Sequence, residues 1–283
     1  SDFAWSRPWL QAPPKPDYSS SEKRYLQKFP EVTAEKLLSG DFGSEFETFF
    51  ADRFPQRNTW VGLNAYTALA EGNNGASGVY NCKNGYLINK PVSTENNLDK
   101  NIGAVADFAK SIDTPTTVML VPSTGYIVDD VLPTFHDKYN DDEDISRISS
   151  TLSKDKIGFV DLRERFKSEY KNGSQLYYKT DHHWTTKGAY TGYQELCKAL
   201  GVTPIDDSTL KKDSYPDFYG TTYSSSGFWL TPPDNIEIWN NPKNSDRNIS
   251  VKIAEGANIK TSGSMYFTDH LKEIGRASCR ERV

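Results

Sequence analysis

The 283 residues carry a net charge of −5, with 36% hydrophobic and 13% aromatic content. No stretch reaches the roughly 20 apolar residues of a membrane-spanning helix, and no basic cluster exists to neutralise a row of phosphates, so nucleic acid is excluded as a partner. Three cysteines (Cys82, Cys197 and Cys279) form neither a disulfide framework nor a metal-knuckle spacing; Cys82 reads as a small hydrophobe and Cys197 as a surface thiol.

Residues 1–20 are proline-rich, include Pro13-Pro14 and run into serines from Ser19, which predicts an extended linker. From Ser39 the spacing of Phe42, Phe46, Phe49 and Phe50 predicts a helix that Pro55 ends, and Thr59 is placed to cap a second helix carrying Trp60, Leu63 and Leu69. Val79-Tyr80 and Tyr86-Leu87-Ile88 flank Asn84-Gly85, a strong hairpin signal. Leu98, Ile102, Val105, Ala109 and Ile112 mark one face of an amphipathic helix. The β-branched run from Thr117 to Val121, closed by Pro122, reads as a buried parallel strand. A helix through Ile145, Ile148 and Leu152 and a strand over Ile157–Val160 complete a βαβ unit. Leu162, Phe166 and Tyr170 predict a further helix, as do Ala189, Tyr193, Leu196 and Leu200 ahead of Gly201. Beyond about Pro216, alternating runs such as Ile236-Glu237-Ile238-Trp239 and Ser250-Val251-Lys252-Ile253 predict antiparallel strands, read as a β-rich insertion on an α/β core. The last residues, 273–283, resemble the translation of a short-read sequencing adapter. They are set aside as a non-native tail, with the native chain expected to be incomplete after Lys272.

The densest chemical signal is Tyr177 to Ala189, which holds Asp181-His182-His183-Trp184 ahead of a predicted helix. In an extended or turn conformation, residues two apart point to the same side. The Asp181 carboxylate can therefore hold one ring nitrogen of His183 and leave the other to take a proton from a hydroxyl. Three other readings compete. Asp181, His182 and His183 could bind a metal, though adjacent histidines seldom converge on one ion and no further strong ligand is near in sequence; the reading adopted has no metal. His183 could be a buried core histidine with Trp184 as packing. Ser123, at the carboxyl end of the buried strand, could be a nucleophile, line the substrate cleft or only begin the next helix. Ser224-Ser225-Ser226-Gly227 reads as a flexible loop, and His136 and His270 carry no motif.

The Asp181–Trp184 motif matches the one that gives the DHHW family its name, and resembles the Asp-Thr-His-Trp motif of the alginate O-acetylation proteins. Blocks at Ser21–Leu26, Phe29-Pro30, Asp52–Arg57, Asn84–Leu87, Val121–Ser123 and Asp217–Thr221 look similar too, so the resemblance runs from about Ser21 to His270. It implies an SGNH hydrolase-like three-layer α/β sandwich over 21–272, with an N-terminal helical and hairpin segment. It implies acyl transfer, an O-acetyltransferase or acetylesterase acting on a cell-envelope polysaccharide, with Asp181 orienting, His183 as base and His182 in the variable middle position. Ser123, Tyr178 and Trp184 are expected to line the substrate site. The family's nucleophilic serine lies on a later strand, which here falls beyond Lys272. No cofactor is implied; a membrane partner could supply acetyl. The expected location is extracytoplasmic, secreted or anchored through a missing N-terminal membrane segment. The rival expectation is a non-catalytic glycan-binding protein of the same fold.

Overall fold

A computed structural model describes residues 18–19, 24–92, 95–244, 251–255 and 258–262. The adapter-like tail and most of the expected linker lie outside these residues. Within the expected linker, β1 (Tyr18–Ser19) pairs antiparallel with β2 (Arg24–Tyr25). Helix α1 (Ala34–Ser39) starts at Thr33, whose hydroxyl accepts from Lys36 N (3.2 Å), and stops at Gly40. Helix α2 (Asp41–Arg53) carries the phenylalanine stripe: Phe42 stacks on Phe46 at 6.1 Å and Phe46 on Phe49 at 6.4 Å. Helix α3 (Arg57–Ala70) begins two residues before the predicted cap. Gln56, in the left-handed region, redirects the chain after Pro55, so Thr59 lies in the first turn.

β3 (Gly75–Ala76), β4 (Val79–Asn81) and β5 (Leu87–Asn89) form an antiparallel sheet in that order. The β4–β5 turn closes where expected. Asn84 and Gly85 both have positive φ (58° and 77°), and Tyr86 N donates to Lys83 O, which is the geometry Asn-Gly favours in hairpins.

Helix α4 (Glu95–Ser111) leads to β6 (Thr117–Leu120). Next come the short α5 (Thr124–Ile127), α6 (Asp141–Lys154), β7 (Gly158–Asp161) and α7 (Arg163–Lys171). β6 and β7 are parallel, with Val118 opposite Phe159 and Met119 opposite Val160. Alternation sends the first pair toward Ile102, Ala106 and Leu152 of α4 and α6, and the second toward Leu162, Phe166, Leu176 and Tyr177. Helices thus cover both faces of the strand pair, the α/β/α layering expected from the sequence. Two details differ. β6 is half-buried rather than buried, because the pair has no third strand on either edge among the described residues. On α4 the core face uses Ala106, and Val105 is exposed.

Helix α8 (Thr186–Ala199) buries Tyr190, Thr191 and Cys197, while Leu200 is exposed. Cys197, at 5% exposure, is therefore a core residue and not a surface thiol. β8 (Lys211–Phe218) pairs antiparallel with β9 (Asp234–Asn240), and the short α9 (Thr221–Ser226) lies between them. Pairing skips from Tyr215–Ile236 to Phe218–Asp234, so Pro216 and Asp217 (φ 66°) form a bulge. β10 (Val251–Glu255) and β11 (Asn258–Ser262) make a separate hairpin. No described helix is long and apolar enough to cross a membrane.

Candidate active site

The motif occupies a tight loop between α7 and α8. Tyr177 bridges Trp184 antiparallel, Tyr178 N donates to His183 O (3.2 Å), and Thr185 N donates to Leu176 O (2.8 Å). Thr185 then caps α8, its hydroxyl accepting from Gly188 N. The loop is pinned from outside as well. Leu87 N of β5 donates to Lys179 O (2.7 Å) and Tyr223 N of α9 to Thr180 O (3.0 Å). The first residue of β9, Asp234, accepts at Oδ1 from Gln175 Nε2 and Lys179 N (both 3.0 Å), and at Oδ2 from Thr180 N (2.8 Å) and Thr180 Oγ1 (2.7 Å).

At the loop's tip, Asp181 and His183 face each other. Asp181 Oδ1 accepts a short hydrogen bond from His183 Nδ1 and a second from His183 N (3.0 Å). Its Oδ2 accepts from Thr221 N (2.7 Å) and Thr221 Oγ1 (3.1 Å). The acid is 2% exposed, whereas the His183 side chain is 52% exposed. A buried acid thus holds an accessible imidazole through Nδ1, so proton exchange with a substrate falls to Nε2. Gly220 makes the close approach of α9 possible, since a Cβ there would fall inside the Asp181 side chain.

Burial alone would push the Asp181 carboxyl up. The hydrogen bonds from His183 and Thr221, with the neighbouring imidazole's charge, outweigh it and hold the group well below the usual carboxylate range. A carboxyl with a lowered folded-state pKa contributes stability that is present above its unfolded value, about pH 4, and is lost as pH falls through the folded value. The unfolding free energies of wild type and Asp181→Asn, from urea melts across acid pH, are therefore expected to converge as pH drops below about 4. A gap independent of pH would contradict the assignment.

His182 lies against His183 with ring centroids 4.0 Å apart and the planes tilted by 34°. Burial and the adjacent His183 lower its pKa, so its neutral form is favoured. Contrary to the expectation that adjacent histidines diverge, one ligand atom from each of Asp181, His182 and His183 lies within 4.8 Å of the others. Both imidazole Nδ1 atoms are, however, engaged in hydrogen bonds.

The other sequence candidates are placed differently. Ser123 precedes α5, and its N and Oγ donate to Asp141 at 2.6 and 2.7 Å. Its neighbour Pro122 accepts from the Tyr177 hydroxyl, which is the link from this turn to the motif. Tyr178 packs on Phe218 (5.1 Å) and lines an open cavity of about 590 Å³ shared with Lys179, Lys187, Asp234 and Trp239. Trp184 packs against Phe166 and the main core cluster. Ser224–Ser226 lie in α9 rather than a flexible loop, with Ser224 Oγ and Ser226 Oγ donating to backbone carbonyls and Ser226 fully buried. His136 contacts its neighbours Asp137 and Tyr139; His270 lies outside the described residues. Reading the sequence did not find Thr221 or Asp234 as site residues. The Asp217–Thr221 block was the one available signal for the first, and nothing local marks the second.

Residues 87–216 match the family model of the SGNH hydrolase-like domain of acetyltransferase AlgX. Among solved structures, PatB1 of Bacillus cereus superposes with a TM-score of 0.51 at 19% identity, over 63% of this chain and 64% of that one. A DHHW family protein from Eubacterium siraeum gives 0.49 at 21% identity, over 58% and 54%. The O-acetyltransferase domain of Pseudomonas putida AlgJ gives 0.48 at 17% identity, over 56% and 63%. No curated protein matches the chain. The match to this chain spans less than two thirds of each of these solved structures. The chain thus has an SGNH hydrolase-like α/β fold, and its residues 87–216 are similar to the AlgX-type domain, as the motif suggested.

Proposed function

We propose that this SGNH hydrolase-like chain supplies the aspartate and histidine of a Ser-His-Asp acyl-transfer site. The site moves acetyl to or from a hydroxyl of a cell-envelope polysaccharide outside the cytoplasm. One observation carries the reading: the buried Asp181 carboxylate receives the Nδ1 hydrogen of a half-exposed His183. The family match over 87–216 supports it. The serine is proposed to come from sequence following Lys272, where the resemblance to the DHHW and alginate O-acetylation proteins implies it; Ser123 donates to Asp141 and serines of α9 donate to backbone carbonyls.

In this mechanism His183 Nε2 takes the proton of the serine hydroxyl as its oxygen adds to the acetyl carbonyl. The tetrahedral adduct collapses, the departing alcohol takes the proton from His183, and an acetyl-serine remains. A second hydroxyl, of sugar or water, then gives its proton to Nε2 and attacks the acetyl-serine. Collapse releases the new ester or acetate, and His183 returns the proton to the serine oxygen. Asp181 holds Nδ1–H throughout and stabilises each imidazolium. No metal or cofactor takes part in these steps. A membrane-bound donor partner and a secreted or tethered location belong to the same proposal.

The test is to recover the reading frame past Lys272 and compare the complete protein with this chain on p-nitrophenyl acetate and on an acetylated oligosaccharide. Turnover by the complete protein alone is expected. Equal turnover by this chain would place the nucleophile within it. Saturable oligosaccharide binding without turnover by either would favour a glycan-binding protein, for which the Tyr178–Trp239 cavity is the natural surface.

A further inference from the structure

The Asp217–Thr221 block has no part in the acyl-transfer steps, yet its last residue contacts both Asp181 and His182. Thr221 N and Oγ1 both reach Asp181 Oδ2, and Thr221 Oγ1 also lies 2.8 Å from His182 Nδ1. A hydroxyl has one hydrogen and two lone pairs. An ionised carboxylate can only accept, so the hydroxyl hydrogen goes to Asp181 and a lone pair faces His182. His182 must then carry its hydrogen on Nδ1. That leaves Nε2 as an acceptor, with no hydrogen-bond partner among the described residues, on a side chain 51% exposed and lying beside His183.

We propose that Thr221 is a positioning residue whose single hydroxyl fixes both the Asp181 carboxylate and the tautomer of His182, so that His182 presents Nε2 as a hydrogen-bond acceptor for a substrate hydroxyl next to the His183 base. Two neighbouring imidazoles then have different tasks. His183 exchanges the proton, and His182 holds an alcohol by its O–H. Gly220 is the condition for this arrangement, because only a residue without Cβ lets the chain pass Asp181 closely enough to bring the Thr221 N–H and hydroxyl to one carboxylate oxygen. The ligand class is a neutral hydroxyl compound, in keeping with the acyl-transfer reading on which the role assigned to His182 rests.

Imidazole 15N spectra of the histidine-labelled chain decide the assignment, since the sequence has only four histidines. The spectra are taken near pH 8, where an ordinary imidazole is neutral. His182 and His183 are both expected as Nδ1–H tautomers in wild type and in Thr221→Ser. Thr221→Val keeps the backbone bond and removes the hydroxyl. It is expected to shift the His182 tautomer ratio toward Nε2–H by about three- to tenfold, the weight of one hydrogen bond, while His183, held by the other carboxylate oxygen, stays Nδ1–H. A His182 already Nε2–H in wild type, or one indifferent to Thr221→Val, overturns the proposal. If the valine variant does not fold, the wild-type and serine spectra still decide it. In the complete protein the KM for the hydroxyl acceptor is expected to rise about three- to tenfold in Thr221→Val with the KM for the acyl donor unchanged; an equal rise in both overturns the role of Nε2. If the tautomers behave as stated but His183→Ala leaves turnover intact, the hydrogen-bond assignment stands and the acyl-transfer reading falls.

Discussion

In the acyl-transfer reading proposed above, His183→Ala is expected to lower kcat/KM on an acetyl ester, in a protein carrying the proposed serine, by about 10²- to 10⁴-fold, the usual contribution of a general acid–base group. The argument is geometric. Asp181 buries its carboxylate behind the loop, and His183 is the half-exposed ring that it aims outward. Removing the ring removes the proton acceptor and little packing, but it also takes the Nδ1 hydrogen bond from the buried Asp181 carboxylate, so some loss of stability is expected and turnover is compared at a temperature where the variant is folded. Asp181→Asn is expected to fall in a similar range for a different reason. The amide can donate to Nδ1, which favours the wrong tautomer and leaves a hydrogen on Nε2, where a base needs a lone pair. The pair of variants separates this reading from a structural one. A merely structural Asp181 would lose stability without a matching loss of turnover in His183→Ala. Wild-type turnover by a folded His183→Ala would remove the proposed base.

The dyad could be read from the sequence because its two members are two residues apart, a spacing that local backbone geometry converts directly into shared direction. The hairpin at Asn84-Gly85 was legible for the same kind of reason: both turn residues need positive φ, and these two residue types adopt it at little cost. Periodicity found the βαβ unit and its flanking helices but misread two inner faces, taking the exposed Val105 where Ala106 is buried on α4, and the exposed Leu200 while leaving the buried Cys197 of α8 at the surface. A stripe predicts that a helix has an inner side, while the neighbours that set its angle come from elsewhere. β8 was missed because Pro216 and Asp217 interrupt its pattern, and the structure absorbs them as a bulge. The support of the dyad was the least legible part. Thr221 and Asp234 lie 40 and 54 residues from the groups they bind, and no local propensity marks a contact between segments so far apart in the chain.

The distant contact made by Asp234 leads to the largest expected effect on stability. Asp234 is 4% exposed and accepts from two backbone N–H groups, one hydroxyl and one side-chain amide of the segment leading into Asp181. Truncation in Asp234→Ala leaves these donors facing a gap, and an unsatisfied buried polar group costs about 1–3 kcal/mol. The losses are not additive, since water can enter beside the open cavity that Asp234 lines. A total of about 3–5 kcal/mol is therefore expected from urea melts, a large share of the 5–15 kcal/mol typical of a domain. Asp234→Asn should cost less but not nothing, because it keeps one acceptor oxygen and turns the other position into a donor facing donors. Hydrogen exchange supplies the local test. The amides of Lys179 and Thr180 should lose protection in both variants, more in alanine than in asparagine. A change under about 0.5 kcal/mol with both amides still protected would show that β5 and α9, through the Lys179 and Thr180 carbonyls, hold the loop without Asp234. The proposed catalytic pair would then owe its placement to the other side of the loop.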